Sequence, residues 1–137
     1  MKNIKWIIAA LIFAGLLLSA CGSKSVAGEI VQPARLEPIE GTKFSRVILT
    51  EKAAQRIDIQ TAQVQGNTVP YAAVIYDTEG NTWVYSNPKP LTFVRQPIVI
   101  DHIEGDLAVL TQGLDSATIV VTVGVSELYG AETGVSK

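Results

Sequence analysis

Cysteine, histidine and methionine each occur once in the 137 residues, at Cys21, His102 and the initiator Met1. A single cysteine excludes an internal disulfide, so the fold has to rest on its apolar core. Soft cations take thiolate, thioether or imidazole ligands, and this sequence has almost no such set. Positive charge is scarce as well: 11 Lys and Arg stand against 13 Asp and Glu, with no basic stripe. That argues against nucleic acid and against anionic lipid as partners. The glycines at 80, 105 and 113 are isolated in turn-like sequence and make no phosphate-binding loop. Long apolar runs are missing too. Trp6 to Leu18 is uncharged over only 13 residues, short of the about 20 that a helix needs to cross a bilayer.

What is present at the start is the layout of a secretory signal. Lys2 and Lys5 precede the apolar run, and small residues follow it before the cysteine. Leu18-Ser19-Ala20-Cys21 resembles the lipobox of bacterial lipoproteins. The resemblance implies cleavage after Ala20, a thioether-linked diacylglycerol on Cys21 and often a further acyl chain such as palmitate on the new amino terminus. Cys21 is thus the expected lipid anchor, and two chains suffice for stable attachment. An ordinary signal cut after Ala20 is the alternative, but it would leave a lone thiol open to intermolecular pairing in an oxidising compartment. Without residues 1–20, nine basic and 13 acidic side chains remain, a net charge of −4.

The rest is sized for one domain and a tether. Residues 21–43 are polar, carry Pro33 and Pro38 and show no sustained period, which reads as a flexible tether. The domain is expected over 44–130, with 131–137 as a tail. Phe44 to Leu49 suits a strand, Thr50 is placed as an N-cap, and Glu51 to Ile57 opens a short helical turn. Ile57, Ile59 and Thr61 alternate with polar or small residues, as in a half-buried strand continuing to Val64. Val69 to Tyr76 and Thr82 to Tyr85 read as two arms of a hairpin around Asp77–Asn81. Phe93 to Ile100 is a further strand in which Pro97 demands an edge or a bulge, and Leu107–Leu110 and Ile119–Val123 follow. The expectation is a mainly β fold, a small antiparallel β-barrel or sandwich with one short helix.

The order and spacing of Val69-Pro70-Tyr71-Ala72-Ala73-Val74-Ile75-Tyr76-Asp77, Gly80-Asn81-Thr82-Trp83-Val84-Tyr85, Phe93 to Ile100, Gly105-Asp106, Gly113-Leu114 and Val120-Val121 resemble the periplasmic adaptor subunits, or membrane fusion proteins, of RND-type efflux pumps. The resemblance covers the carboxy-terminal, membrane-proximal domain of those adaptors. Val47 to Val64 is similar to the segment that opens the same domain. Where a complete adaptor inserts further domains, only Gln65-Gly66-Asn67-Thr68 stands here. Asp101 and Ser116-Ala117 depart from the family's glycines. The resemblance implies a free-standing membrane-proximal domain and an inner-membrane transporter as partner. The site of display is either membrane of a diderm or the plasma membrane of a monoderm. Gly22 lacks the aspartate that typically retains lipoproteins at the inner membrane of diderms, which favours the outer membrane there, in tension with an inner-membrane transporter, and a monoderm host removes the conflict.

Other constellations are weak. Asp101-His102-Ile103-Glu104-Gly105-Asp106 offers one imidazole and three carboxylates but no EF-hand pattern, and reads as a solvated turn. No nucleophile has an evident acid–base partner, so no catalytic residue, metal ligand or cofactor is assigned. Trp83, Tyr71, Tyr76 and Tyr85 either line a groove for a hydrophobic ligand or form cross-strand pairs in one hairpin. Val125 to Gly130 is either a docking segment or a frayed terminus. The functional expectation is a noncatalytic, extracytoplasmic, lipid-anchored protein that binds a transporter; the alternative is an envelope lipoprotein that binds a small molecule or a cell-envelope polymer.

Overall fold

A computed structural model describes residues 32–134. The expected signal, Cys21 and the first part of the tether lie outside the described residues. The described chain is mainly β, as expected, and is built of two sheets without a closed barrel. The larger sheet runs β1(Ala34–Pro38), β2(Ser45–Leu49), β7(Thr92–Ile98), β6(Thr82–Lys89), β10(Ile119–Val123), β3(Gln60–Gln63), with β5(Ile75–Tyr76) also on β6. The smaller runs β4(Thr68–Pro70), β9(Leu107–Leu110), β8(Ile100–Glu104). Every pairing is antiparallel.

The uninterrupted apolar runs on β6 and β10 arise because the larger sheet is covered on both faces. On one face Val47, Tyr85, Phe93 and Val121 form a core with Leu49, Ala53, Val125 and Leu128, so the helices α1(Glu51–Arg56) and α2(Val125–Thr133) close it. On the other, Val84, Ile98 and Val120 meet Val69, Ala108 and Leu110 of the smaller sheet. Successive residues such as Val84 and Tyr85 therefore serve opposite cores, as the two-residue period of a strand requires.

Local chemistry accounts for several boundaries. Thr50 caps α1 by accepting the Ala53 N–H on its hydroxyl at 3.2 Å. Ile57 and Ile59, on either side of Asp58 at a φ of 50°, pack on the helix-covered core; the alternation slips at Gln60 and Thr61, both exposed, and Ala62 and Val64 are the inward positions beyond it. Pro97 sits past the point where β2 pairs with β7, at Thr92 and Phe93, so its missing N–H costs no ladder bond on that side.

Several expectations are corrected, among them the strand Phe93–Ile100, which divides at Val99 between β7 of the larger sheet and β8 of the smaller. The tether read over residues 21–43 gives way to β1, whose Ala34 to Pro38 pair with Leu49 to Ser45 and continue the sheet; Pro38 terminates the strand, where a proline is tolerated. Val69 to Tyr76 is not one arm. Pro70 and a 3₁₀ turn at Tyr71–Ala73 divide it, sending β4 to the smaller sheet and β5 to the larger. Residues 125–130 are no frayed terminus: they open α2, which buries Val125 and Leu128 at helical spacing and runs into the expected tail, so the short helix at Glu51 is joined by a second.

Candidate functional site

The densest polar arrangement lies under α2. Arg95 on β7 stands opposite Tyr85 on β6, and both point at the helix-facing core. Glu132 on α2 reaches into the same space. One carboxylate oxygen, Oε1, accepts the Ser45 N–H at 3.2 Å and an Arg95 Nη2–H at 3.4 Å. The other accepts the Tyr85 hydroxyl and lies 3.2 Å from Arg95 Nε, the latter without the alignment of a hydrogen bond. The side chains of Arg95 and Glu132 are only 9% and 4% exposed, so this is a buried ion pair. Burial, reinforced by the Glu132 carboxylate, pushes the Tyr85 phenol well above its ordinary pKa.

Aromatic rings complete the enclosure. The Arg95 guanidinium lies 4.6 Å from the Phe44 ring centre, 4.9 Å from Trp83 and 5.4 Å from Tyr129, within cation–π range of all three. Phe44 and Trp83 meet edge to face at 5.0 Å. Trp83 in turn donates its indole N–H to Asp77 Oδ2 at 2.9 Å. Asp77 organises the β5–β6 turn: its carboxylate also accepts the Asn81 side-chain amide and the backbone N–H groups of Glu79 and Asn81. The Asn81 amide leads these donors in lowering the Asp77 pKa to about 2, against an opposing desolvation effect. A recess of about 170 Å³ beside the network is lined by Lys43, Phe44, Asp77, Trp83, Arg95 and Tyr129, among others.

The four aromatic residues singled out from sequence do not line a common groove. Tyr85 is fully buried and Trp83 nearly so, and the space they face is occupied by Arg95. Tyr71 and Tyr76 are surface residues, 44% and 53% exposed, and the Tyr71 hydroxyl raises the Tyr76 pKa. Nor are they all cross-strand partners: Trp83 stands opposite Ile75 and Pro97, and Tyr85 opposite Arg95. The stretch Asp101–Asp106 is not one solvated turn: Asp101 to Glu104 lie in β8, paired with β9, and only Gly105 and Asp106 turn; His102 is exposed there, with Nδ1 2.7 Å from Asp101 Oδ2. Among the described residues no three His, Cys, Asp or Glu side chains converge as a cation site would need, and no helix is long and apolar enough to cross a membrane.

The sequence marks Asp77 only as turn chemistry, and gives Glu132 and Arg95 no assigned role. One signal was available: Phe93, Arg95 and Pro97 alternate, so Arg95 falls on the Phe93 face of its strand and toward a core. Its partner is 37 residues away, beyond any local pattern. Comparison with known protein families, with curated proteins and with solved structures yields no match.

Proposed function

We propose that the chain is a noncatalytic lipoprotein, held at the extracytoplasmic face of a membrane by acyl groups on Cys21, whose β domain binds an integral membrane protein, a transporter of the efflux class. The anchor rests on Leu18-Ser19-Ala20-Cys21. One architectural observation carries the partner. The segment before Gln65 and the segment after Thr68 interleave in a single sheet, β2 beside β7 and β3 beside β10, and meet at a tight turn in which Gln65 and Thr68 bridge each other. That is the arrangement expected of a membrane-proximal adaptor domain that lacks the modules otherwise inserted at this point. The Glu132 carboxylate is engaged by Ser45, Tyr85 and Arg95, and the Arg95 guanidinium is enclosed by three aromatic rings, which supports a structural role for the pair in place of proton transfer or substrate capture.

Intact-mass analysis of the protein from its native membrane, beside a Cys21→Ala variant, tests the anchor, and mild crosslinking in the same preparation tests the partner. Acyl mass on Cys21 together with a crosslinked transporter is the expected result. Unmodified Cys21 overturns the anchor, and a lipidated protein that crosslinks to no membrane protein in repeated preparations overturns the partner.

A further inference from the structure

The smaller sheet ends on an open edge. β8 is its outer strand, so the backbone groups on the far side of Ile100–Glu104 have no strand partner among the described residues, and every residue from Asp101 to Leu107 is exposed. Such an edge is a template for the addition of another extended chain.

Its charge selects which chain. From Gln96 to Gly134 the sequence carries six carboxylates and no Lys or Arg, and three of the six, Asp101, Glu104 and Asp106, fall on β8 and the turn that follows it. The described cations belong to other elements: Arg35 on β1, Arg46 on β2, Lys52 and Arg56 on α1, Lys89 on β6 and Arg95 on β7, with Lys43 between β1 and β2. Glu132 is neutralised by Arg95, whereas no Lys or Arg pairs with Asp101, Glu104 or Asp106 among the described residues.

Apolar side chains are set among these carboxylates. Ile103 on β8 is 44% exposed and Leu107 on β9 is 43% exposed. Leu107 lies across from Glu104 on one side and Pro70 on the other. Tyr71 joins them, donating its backbone N–H to the Asp106 carbonyl at 2.8 Å. Two copies of this chain meeting edge to edge would oppose carboxylate to carboxylate, an arrangement that disfavours self-pairing. A strand that presents ammonium or guanidinium groups beside apolar ones meets the reverse condition.

We propose that the β8 edge captures an extended segment of a protein partner, with Lys or Arg interleaved among apolar side chains, as a fourth strand of the smaller sheet. The proposal rests on the reading of this chain as a partner-binding domain and assigns that binding a surface and a chemistry. The backbone ladder supplies affinity, Asp101 and Glu104 select positive charge, and Ile103, Leu107 and Tyr71 receive the apolar side chains.

The test uses isotope-labelled, mature lipidated protein in neutral detergent and two short capped peptides, one alternating Lys with Val and one alternating Glu with Val. The Lys–Val peptide is expected to shift the amide resonances of β8 and slow their hydrogen exchange, with an affinity that falls as salt rises; the Glu–Val peptide leaves them unchanged. The double variant Asp101→Lys with Glu104→Lys, whose own spectrum shows that it is folded, binds the Lys–Val peptide about tenfold more weakly or worse. Shifts that map to β1 or α2, or unaltered affinity in the double variant, overturn the proposal. If the peptide does not bind while crosslinking still recovers a transporter, the edge assignment falls and partner binding stands; if neither binds, both fall.

Discussion

Glu132 illustrates how much one side chain can organise. It links α2 to β2 through Ser45, to β6 through Tyr85 and to β7 through Arg95. Truncating one partner of a buried pair strands the other's charge, at a cost of about 3–5 kcal/mol. Glu132→Ala is expected to lose stability on that scale in urea denaturation. Tyr85→Phe, which leaves Glu132 with Ser45 and Arg95, should lose about 2 kcal/mol at neutral pH, the scale of a hydrogen bond to a charged group. The same phenol sets an alkaline limit. Its folded pKa is raised, so its contribution is complete below the unfolded value of about 10 and is lost as pH climbs beyond it. The stability gap between wild type and Tyr85→Phe, followed by chemical denaturation at increasing pH, should therefore shrink above about pH 10. Asp77 has the opposite sign. Its folded pKa is depressed to about 2, so the stability it confers is present above an unfolded value of about 4 and disappears as pH falls toward the folded one. Thermal melting of wild type and Asp77→Asn should differ at pH 6 or so and converge through that acid window.

Among the elements, α2 depends on a backbone feature as well as on Glu132. Gly124 stands at its start with φ +87°, and a Cβ there would lie 2.6 Å from Ile59 Cδ1. Gly124→Ala combines a left-handed alanine with overpacking and should cost about 2 kcal/mol or more in urea denaturation. Much of the element plan was legible in the sequence. The Thr50 cap, the strand before it and the apolar strands at Thr82 and Ile119 carry strong local signals, and each is present. β1 was not legible, because its five residues alternate only weakly between partial burial and exposure and depend on β2 for their hydrogen bonds. α2 was obscured because its third inward position is a charged Glu132 whose partners lie on three distant strands. The break at Pro70 was hidden by the β-branched and aromatic content around it, a signal that describes fit to a pleated surface and not continuity. For the same reason the four aromatics grouped in sequence separate in space, and only Trp83 among them joins Phe44 and Tyr129 around the Arg95 guanidinium.

At the scale of the molecule, burial of the larger sheet on both faces should order its opening. Amides of β6 and β10, which face both cores, are expected to exchange with solvent most slowly, and those of β8 at the open edge among the fastest, in hydrogen exchange of the unliganded protein. The two halves of the domain share this sheet yet touch in sequence only at Gly66 and Asn67. That bend is exposed, and its base is secured from the side: Asn67 exchanges hydrogen bonds with Leu110 through its carbonyl and its side-chain amide, independently of how the chain is connected across the tip. Gly66 itself takes part in none of the backbone hydrogen bonds of the turn, so an insertion beside it would break none. The domain is therefore indifferent, as a fold, to whether its chain turns back at once or departs and returns. A segment inserted at Gly66 is expected to leave every strand in register.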